Sequence, residues 1–304
     1  MFNCCFNSRY TNKVAAKEVS VRIEKKPIMD YEEFDEKNYN PIRLAKGSSA
    51  VSFKINIDNI NLTCKKFTKR KRKDAYREVK ILKSIEYERY LPRLYKAIET
   101  PNYCYILYQF IEGKDLHNVL TNKEKILTQD MIPSIIHEIT MGLHSLFRYN
   151  YVHLDIKYEN IIIESVNPIK LKIIDLAFCE KINNNNNKIT VCGTYGYIPP
   201  EILLYNRYFH NSDIWSLGII MFGLFTGKNL FPVNTNYKKI LEDFSNIEEY
   251  MNDSFENQYK NIDDNVKDLF NKMLTKNPAY RISIKGVLKH DFIKNRNRDM
   301  ELDK

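Results

Sequence analysis

The sequence predicts an α+β protein of two unequal lobes, a small antiparallel sheet with one helix followed by a larger, mainly helical part. Three observations carry this. Between Tyr39 and Gln109, short runs of strand character recur, broken at Asp58-Asn59 and Pro101-Asn102, and one intervening stretch has helical spacing. Past the connector that follows, apolar spacing turns helical, most clearly over Gln129 to Tyr149. Between these regions and the remaining helical stretches, Tyr151-Val-His-Leu-Asp-Ile-Lys-Tyr-Glu-Asn160 runs into Ile161-Ile-Ile and sets an Asp, a Lys and an Asn at fixed offsets between apolar runs.

Composition bounds the reading without directing it. A chain of 304 residues, 43% apolar, buries one large core or two moderate ones, which excludes disorder of the whole chain. Lys and Arg number 47 against 38 Asp and Glu, but apart from Lys65 to Lys73 the excess is dispersed. It reads as solvated surface and not as a nucleic-acid interface. The cysteines Cys4, Cys5, Cys64, Cys104, Cys179 and Cys192 have no metal-ligand spacing and no secretory signal precedes them, so free thiols in a reducing, cytoplasmic setting are expected. The longest apolar run, Trp215 to Phe225, contains Gly and is too short to cross a bilayer.

Residues 1–38 lack sustained periodicity and read as a flexible extension. Cys4-Cys5 precedes Arg9, Lys13, Lys17, Arg22, Lys25 and Lys26; paired acyl groups beside basic residues meet the two-signal requirement for peripheral membrane anchoring, while Phe2 excludes N-myristoylation. An ordinary tail is the alternative. Residues 39–293 form the main domain. Its strands run from Ile42 towards Ala50, Val51 to Ile57 and Ile60 to Phe67, and a helix over Arg72 to Ile85 shows Tyr76, Val79, Ile81, Leu82 and Ile85 at helical spacing around Glu78. Leu94 to Glu99 and Tyr103 to Gln109 close the small lobe (39–108), a connector spans 109–115, and the larger lobe is 116–293.

In that lobe, the helix over Gln129 to Tyr149 carries Ile132, Ile135, Ile136, Ile139, Leu143 and Leu146 on one face. After an Asn167-Pro168 turn, Leu171-Lys-Ile-Ile-Asp175 reads as a buried strand ending in an acid. Asn183 to Asn187 is a low-complexity insert, Leu269 to Leu274 and Ile284 to Leu288 are the closing helices, and 294–304 is a tail.

The polar offsets of the central stretch suit phosphoryl transfer, in which catalysis is mostly positioning and charge stabilisation. Asp155 can accept a hydroxyl proton, Lys157 can neutralise charge on the phosphoryl group, and Asn160 can hold a metal ion through its amide oxygen.

The stretch resembles the catalytic loop of eukaryotic protein kinases, His-Arg-Asp-Leu-Lys-x-x-Asn, with Leu154 in the Arg position. Other blocks follow in the family's order from about Tyr39 to Ile293. Leu62-Thr-Cys-Lys65 is similar to Val-Ala-Ile-Lys, Leu171 to Phe178 to the Asp-Phe-Gly region with Asp175-Leu-Ala in its place, and Val191 to Glu201 to Gly-Thr-x-x-Tyr-x-Ala-Pro-Glu. Asp213-Ile-Trp-Ser-Leu-Gly218 and Asn277-Pro-x-x-Arg281 complete the set.

The resemblance implies a bilobal Ser/Thr protein kinase using ATP and magnesium, acting on protein substrates. By it, Lys65 grips nucleotide phosphates and pairs with Glu78, while Asn160 and Asp175 hold the metal. Alternation selects Lys65 over Lys66, because Leu62 and Cys64 then share the opposite, packed face. The loop Ala45, Lys46, Gly47 and Ser48 lies over the phosphates, although Ala45 and Ala50 stand where two of three glycines are expected. Ser52, Thr63 and Ile162 line the adenine site, Tyr108 gates its back, Gln109 and Ile111 offer it backbone groups, and Asp115 reaches the ribose. Thr194 bonds near Asp155 and Lys157 and favours Ser and Thr acceptors. Glu201 pairs with Arg281, and Asp213 binds the catalytic-loop backbone.

The departures (Ala45, Ala50, Ser52, Thr63, Ala177) keep a pseudokinase scaffold as the alternative. Leu154, Glu180 and Asp74 stand where the family's phosphate-binding basic residues are expected, so activity independent of Thr190 phosphorylation is expected. Glu159 and Asp115 favour basic residues before the target hydroxyl.

Overall fold

The structure, a computed structural model, describes residues 29–47, 49–121, 127–183, 187–231 and 262–294. Its small lobe is built on a six-stranded sheet in the order β1-β5-β6-β4-β3-β2, comprising β1 (Asp30–Tyr31), β2 (Ile42–Lys46), β3 (Ala50–Ile57), β4 (Ile60–Thr68), β5 (Leu94–Glu99) and β6 (Tyr103–Gln109). All neighbours are antiparallel except β1, which runs parallel to β5. Asp58 and Asn59 both take positive φ, the type I′ geometry whose twist matches the strands it joins.

Helix α1 (Arg72–Ser84) lays Ala75, Val79, Ile81 and Leu82 on the inner face of the sheet. Period-2 alternation in β4 sorts its side chains as expected: Leu62 and Cys64 join Ile55, Ile98, Tyr105 and Leu107 in an outer cluster, while Phe67 packs in the main core.

Residues 29–38, expected to belong to the extension, pack against the small lobe. Met29 is buried, β1 pairs with Ile98 and Glu99, and Phe34 and Tyr39 cover the outer cluster, with the Phe34 ring 4.8 Å edge-on to Tyr105. Glu36 is buried between Lys66 (2.6 Å) and the Tyr105 hydroxyl (3.0 Å). A two-residue strand and scattered aromatics carry no periodicity, which is why this strap escapes a pattern reading. Residues 1–28, with Cys4 and Cys5, and 295–304 lie outside the described residues.

The large lobe is organised on α3 (Ile132–Arg148), which a 3-10 turn over Gln129–Met131 precedes, and on α5 (Ser212–Thr226). Helix α5 is buried from Ser212 to Gly223, the environment an all-round apolar helix requires. The apolar run starting at Trp215 is therefore a core helix, and no helix among the described residues is long and apolar enough to cross a membrane. Shorter helices α2 (Leu116–Thr121), α4 (Pro200–Tyr205), α6 (Asp264–Met273), α7 (Ile284–Lys289) and α8 (Asp291–Lys294) complete the lobe.

Two small sheets face the small lobe. In one, β7 (Lys114–Asp115) pairs with β9 (Ile161–Val166), which pairs with β10 (Ile169–Ile173); in the other, β8 (Tyr151–Val152) pairs with β11 (Glu180–Lys181). The central polar stretch runs from β8 to β9 and is therefore anchored at both ends.

Candidate active site

A cavity of about 1320 Å³ opens between the lobes. Strand β4 and helix α1 supply its upper charges. Lys65 is 7% exposed, and its Nζ donates to both oxygens of Glu78 (2.9 and 2.8 Å) and to Asp175 Oδ1 at 2.7 Å. Burial works against the Lys65 cation, but the carboxylates of Glu78 and Asp175 outweigh it and hold its pKa above the ordinary value. Burial pushes Glu78 up, with Lys65 opposing. Burial would also raise Asp175, yet Lys65 prevails and leaves its carboxyl below the usual range.

The floor is held from underneath. Asp213 on α5 accepts the backbone N–H of His153 (2.7 Å) and of Leu154 (2.8 Å). Leu154 thereby sits at φ 66°, a conformation that disfavours a side chain and persists because its surroundings fix it. His153 donates from Nε2 to the Ile174 carbonyl (3.0 Å) and accepts the Asp155 N–H at Nδ1 (3.3 Å), which selects one neutral tautomer.

Asp155 is almost fully buried, and its side chain is held on both oxygens. Thr194 donates to Oδ1 at 2.7 Å; Asn160 Nδ2 reaches Oδ2 at 3.1 Å and the Asp155 carbonyl at 2.8 Å; Lys157 Nζ lies 3.2 Å from Oδ2. Lys157 also donates to Thr194 Oγ1 at 2.8 Å. Gly193 brings Thr194 in: at φ +95° it passes so near the loop that a Cβ would stand 2.7 Å from the Leu154 carbonyl. The neighbouring thiol of Cys192 is pushed up to about 11 by burial and stays protonated at neutral pH, which argues against thiolate chemistry here.

With its Nδ2 committed to Asp155, Asn160 keeps its amide oxygen for another partner, and the Asp175 side chain remains 39% exposed in the cavity. One carboxylate and one amide oxygen fit magnesium, which takes few protein ligands and completes its octahedron from phosphate and water.

A model of the protein kinase domain matches residues 43–293. The chain belongs to the protein kinase family. Serine/threonine-protein kinase unc-51 of Caenorhabditis elegans is 31% identical over 71% of this chain and 26% of its own length. Calcium-dependent protein kinase 4 of Plasmodium falciparum is 32% identical over 77% and 44%, and Serine/threonine-protein kinase PLK4 of Xenopus tropicalis 30% over 66% and 20%. The chain thus spans less than half the length of these relatives.

This member of the protein kinase family brings together most of the residues its sequence singles out. Ala45, Lys46, Gly47, Ser52, Thr63, Lys65, Glu78, Ile111, Asp115, Asp155, Lys157, Asn160, Ile162, Asp175 and Thr194 all line the cavity. Gln109 does not line it; its N–H is taken by the Arg93 carbonyl at 2.9 Å. Ser48 lies outside the described residues. Asp115 accepts the Asn118 N–H at 2.8 Å, the turn that opens α2. Tyr108 lines the back, its hydroxyl kept protonated because burial raises its pKa. Leu176 is buried in the core, and Glu201 and Arg281 form a fully buried pair with both guanidinium contacts at 2.7 Å.

Two contributors escape the sequence reading. Arg77, beside Glu78 on α1, donates to Glu180 Oε1 at 2.8 Å and to the Ala177 carbonyl. Tyr158 donates to the Ile220 carbonyl at 3.1 Å, and its hydroxyl stands 1.9 Å from where a Cβ on Gly223 would lie. A run of alternating charges hides the first, and a contact sixty-two residues distant hides the second.

Proposed function

We propose that this chain is a Ser/Thr protein kinase that transfers the γ-phosphoryl group of ATP to Ser and Thr hydroxyls of protein substrates. The observation that carries this reading is the joint state of Lys65 and Asp155. Lys65 is gripped by both Glu78 and Asp175, and Asp155 is held by Thr194, Asn160 and Lys157 in one cavity. A scaffold that only binds partners has no need of either arrangement.

Asp155 accepts the proton of the substrate hydroxyl as its oxygen bonds to the γ-phosphorus and the bond to the ADP oxygen breaks. Lys157 sets a positive charge beside the transferring group, and Thr194 fixes Asp155 and Lys157 relative to each other. Lys65 orients the nucleotide phosphates, and Ile111 offers its backbone to the adenine edge. Asp175 and Asn160 would hold magnesium, which neutralises charge across the phosphates. Ser52 and Thr63 give the nucleotide site hydroxyls in place of an apolar lid, which weakens apolar contact with the base. Glu159 and Asp115, both on the cavity, favour basic residues N-terminal to the acceptor.

The deciding experiment incubates the chain with magnesium, labelled ATP and a basic protein substrate, beside Asp155→Asn. Transfer to Ser and Thr that falls by about a thousandfold or more in Asp155→Asn, with nucleotide-induced thermal shift intact, is expected. Absence of both transfer and nucleotide binding in the wild-type chain would overturn the reading in favour of a scaffold.

For placement we propose a cytoplasmic protein held at membranes through acylated Cys4 and Cys5, supported by the basic residues that follow them. Metabolic labelling with a palmitate analogue should mark wild type and not the Cys4→Ser/Cys5→Ser variant.

A further inference from the structure

The mechanism leaves unused one charged pair at the cavity rim, Arg77 and Glu180. Arg77 adjoins Glu78 in sequence, but points along the rim, with its side chain 42% exposed. One guanidinium nitrogen meets Glu180 Oε1 at 2.8 Å and the other meets the Ala177 carbonyl. These acceptors belong to different anchor points. Ala177 lies two residues after Asp175, whereas Glu180 is on β11, paired with Val152 on the strand that leads into the catalytic loop.

The contacts close a ring. Lys65 binds Glu78 on α1 and Asp175 in the following loop; Arg77, again on α1, binds that same loop and its strand. At its other end α1 is fastened to the small lobe, where Glu99 gathers Lys69, Arg72 and the Tyr76 hydroxyl. Charge supports the same reading. Lys65 answers the two carboxylates of Glu78 and Asp175, and Arg77 supplies the cation that answers Glu180.

We propose that Arg77 is a positioning residue for phosphoryl transfer, clamping α1 to Ala177 and Glu180 so that Glu78 and Asp175 hold Lys65 together without any added group. This rests on the proposed kinase activity. The guanidinium matters as a fork: two acceptors at different places need two rigid donors, which an ammonium point charge does not provide.

The test compares Arg77→Ala, Arg77→Lys, Glu180→Gln and the double variant Arg77→Ala/Glu180→Gln. It uses the full chain after phosphatase treatment, with kcat, KM for ATP, melting temperature and hydrogen exchange of α1 amides. Because both side chains are partly exposed, the variants are expected to fold with melting temperatures near wild type. Arg77→Ala should lower kcat by about tenfold and Glu180→Gln by about threefold, with Arg77→Lys between wild type and Arg77→Ala. The double variant should be no slower than Arg77→Ala, since both changes break one clamp. Exchange along α1 should rise in step with the loss of rate.

Unchanged kcat and α1 exchange in Arg77→Ala would overturn the proposal, as would losses that add independently in the double variant. If wild type transfers no phosphate, the kinase reading fails by itself. Exchange in α1 then decides the clamp: faster exchange in Arg77→Ala supports it, and unchanged exchange removes it.

Discussion

At the scale of single residues, the space above Gly223 is filled by one hydroxyl. Tyr158 reaches across the base of the catalytic loop to the Ile220 carbonyl, and its oxygen occupies the place a side chain at 223 would take. Gly223→Ala should cost about 1–3 kcal/mol in chemical denaturation through overpacking, and adding Tyr158→Phe should recover most of the loss by removing the obstructing oxygen. The buried pair behaves differently. Arg281→Ala leaves the fully buried Glu201 without its cation, and should cost about 3–5 kcal/mol by the same measurement. Lys65 is readable from sequence because strand alternation separates it from Lys66, and Asp155, Asn160 and Asp175 because their offsets recur in a known pattern. Arg77 is not, since a rim arginine in a basic helix has no pattern of its own.

Among elements, helix α3 shows both what periodicity reveals and where it stops. Its apolar face matches the expected one residue for residue, while its opening turn is 3-10 over Gln129–Met131, a difference of hydrogen-bond pitch that apolar spacing does not register. The outer rim of the helix carries His144, whose ring stacks 6.1 Å from Phe147, itself 5.1 Å edge-on to His210. Burial, joined by Lys285 and Arg148 against the opposing Glu88, lowers the His144 pKa, and burial lowers that of His210. The unfolded chain therefore binds protons that the folded chain refuses as pH falls below about 6.5, so this contribution is complete above that value and is lost beneath it. The melting temperature should decline from pH 7 to pH 5.5, and His144→Gln should flatten that part of the profile. A wild-type profile that matches His144→Gln would remove the histidine from the account.

For the molecule as a whole, the two-lobed plan and its motif order were legible from end to end, because each catalytic block sits on an element with its own periodicity. The strap over residues 29–39 was not, because its stability comes from partners far along the chain. Removing residues up to 39 should lower stability by about 2–4 kcal/mol as Phe34 and Tyr39 uncover apolar area, whereas removing 1–28 keeps those contacts. Regulation also belongs to this scale. With Leu154 buried in place of a basic residue and Glu180 already engaged by Arg77, Thr190→Ala should keep rates within about twofold of wild type; a loss of tenfold with folding intact would contradict it.

The strap has a bearing on how the protein is made. Glu36 has its counterion 30 residues downstream at Lys66 and its hydroxyl donor 69 residues downstream at Tyr105. On a translating ribosome Glu36 leaves the exit tunnel before Lys66 and Tyr105 do, and it stays hydrated until β4 and β6 have emerged. The strap is thus synthesised before the strands that seat it, and its buried contacts wait for β4 and β6.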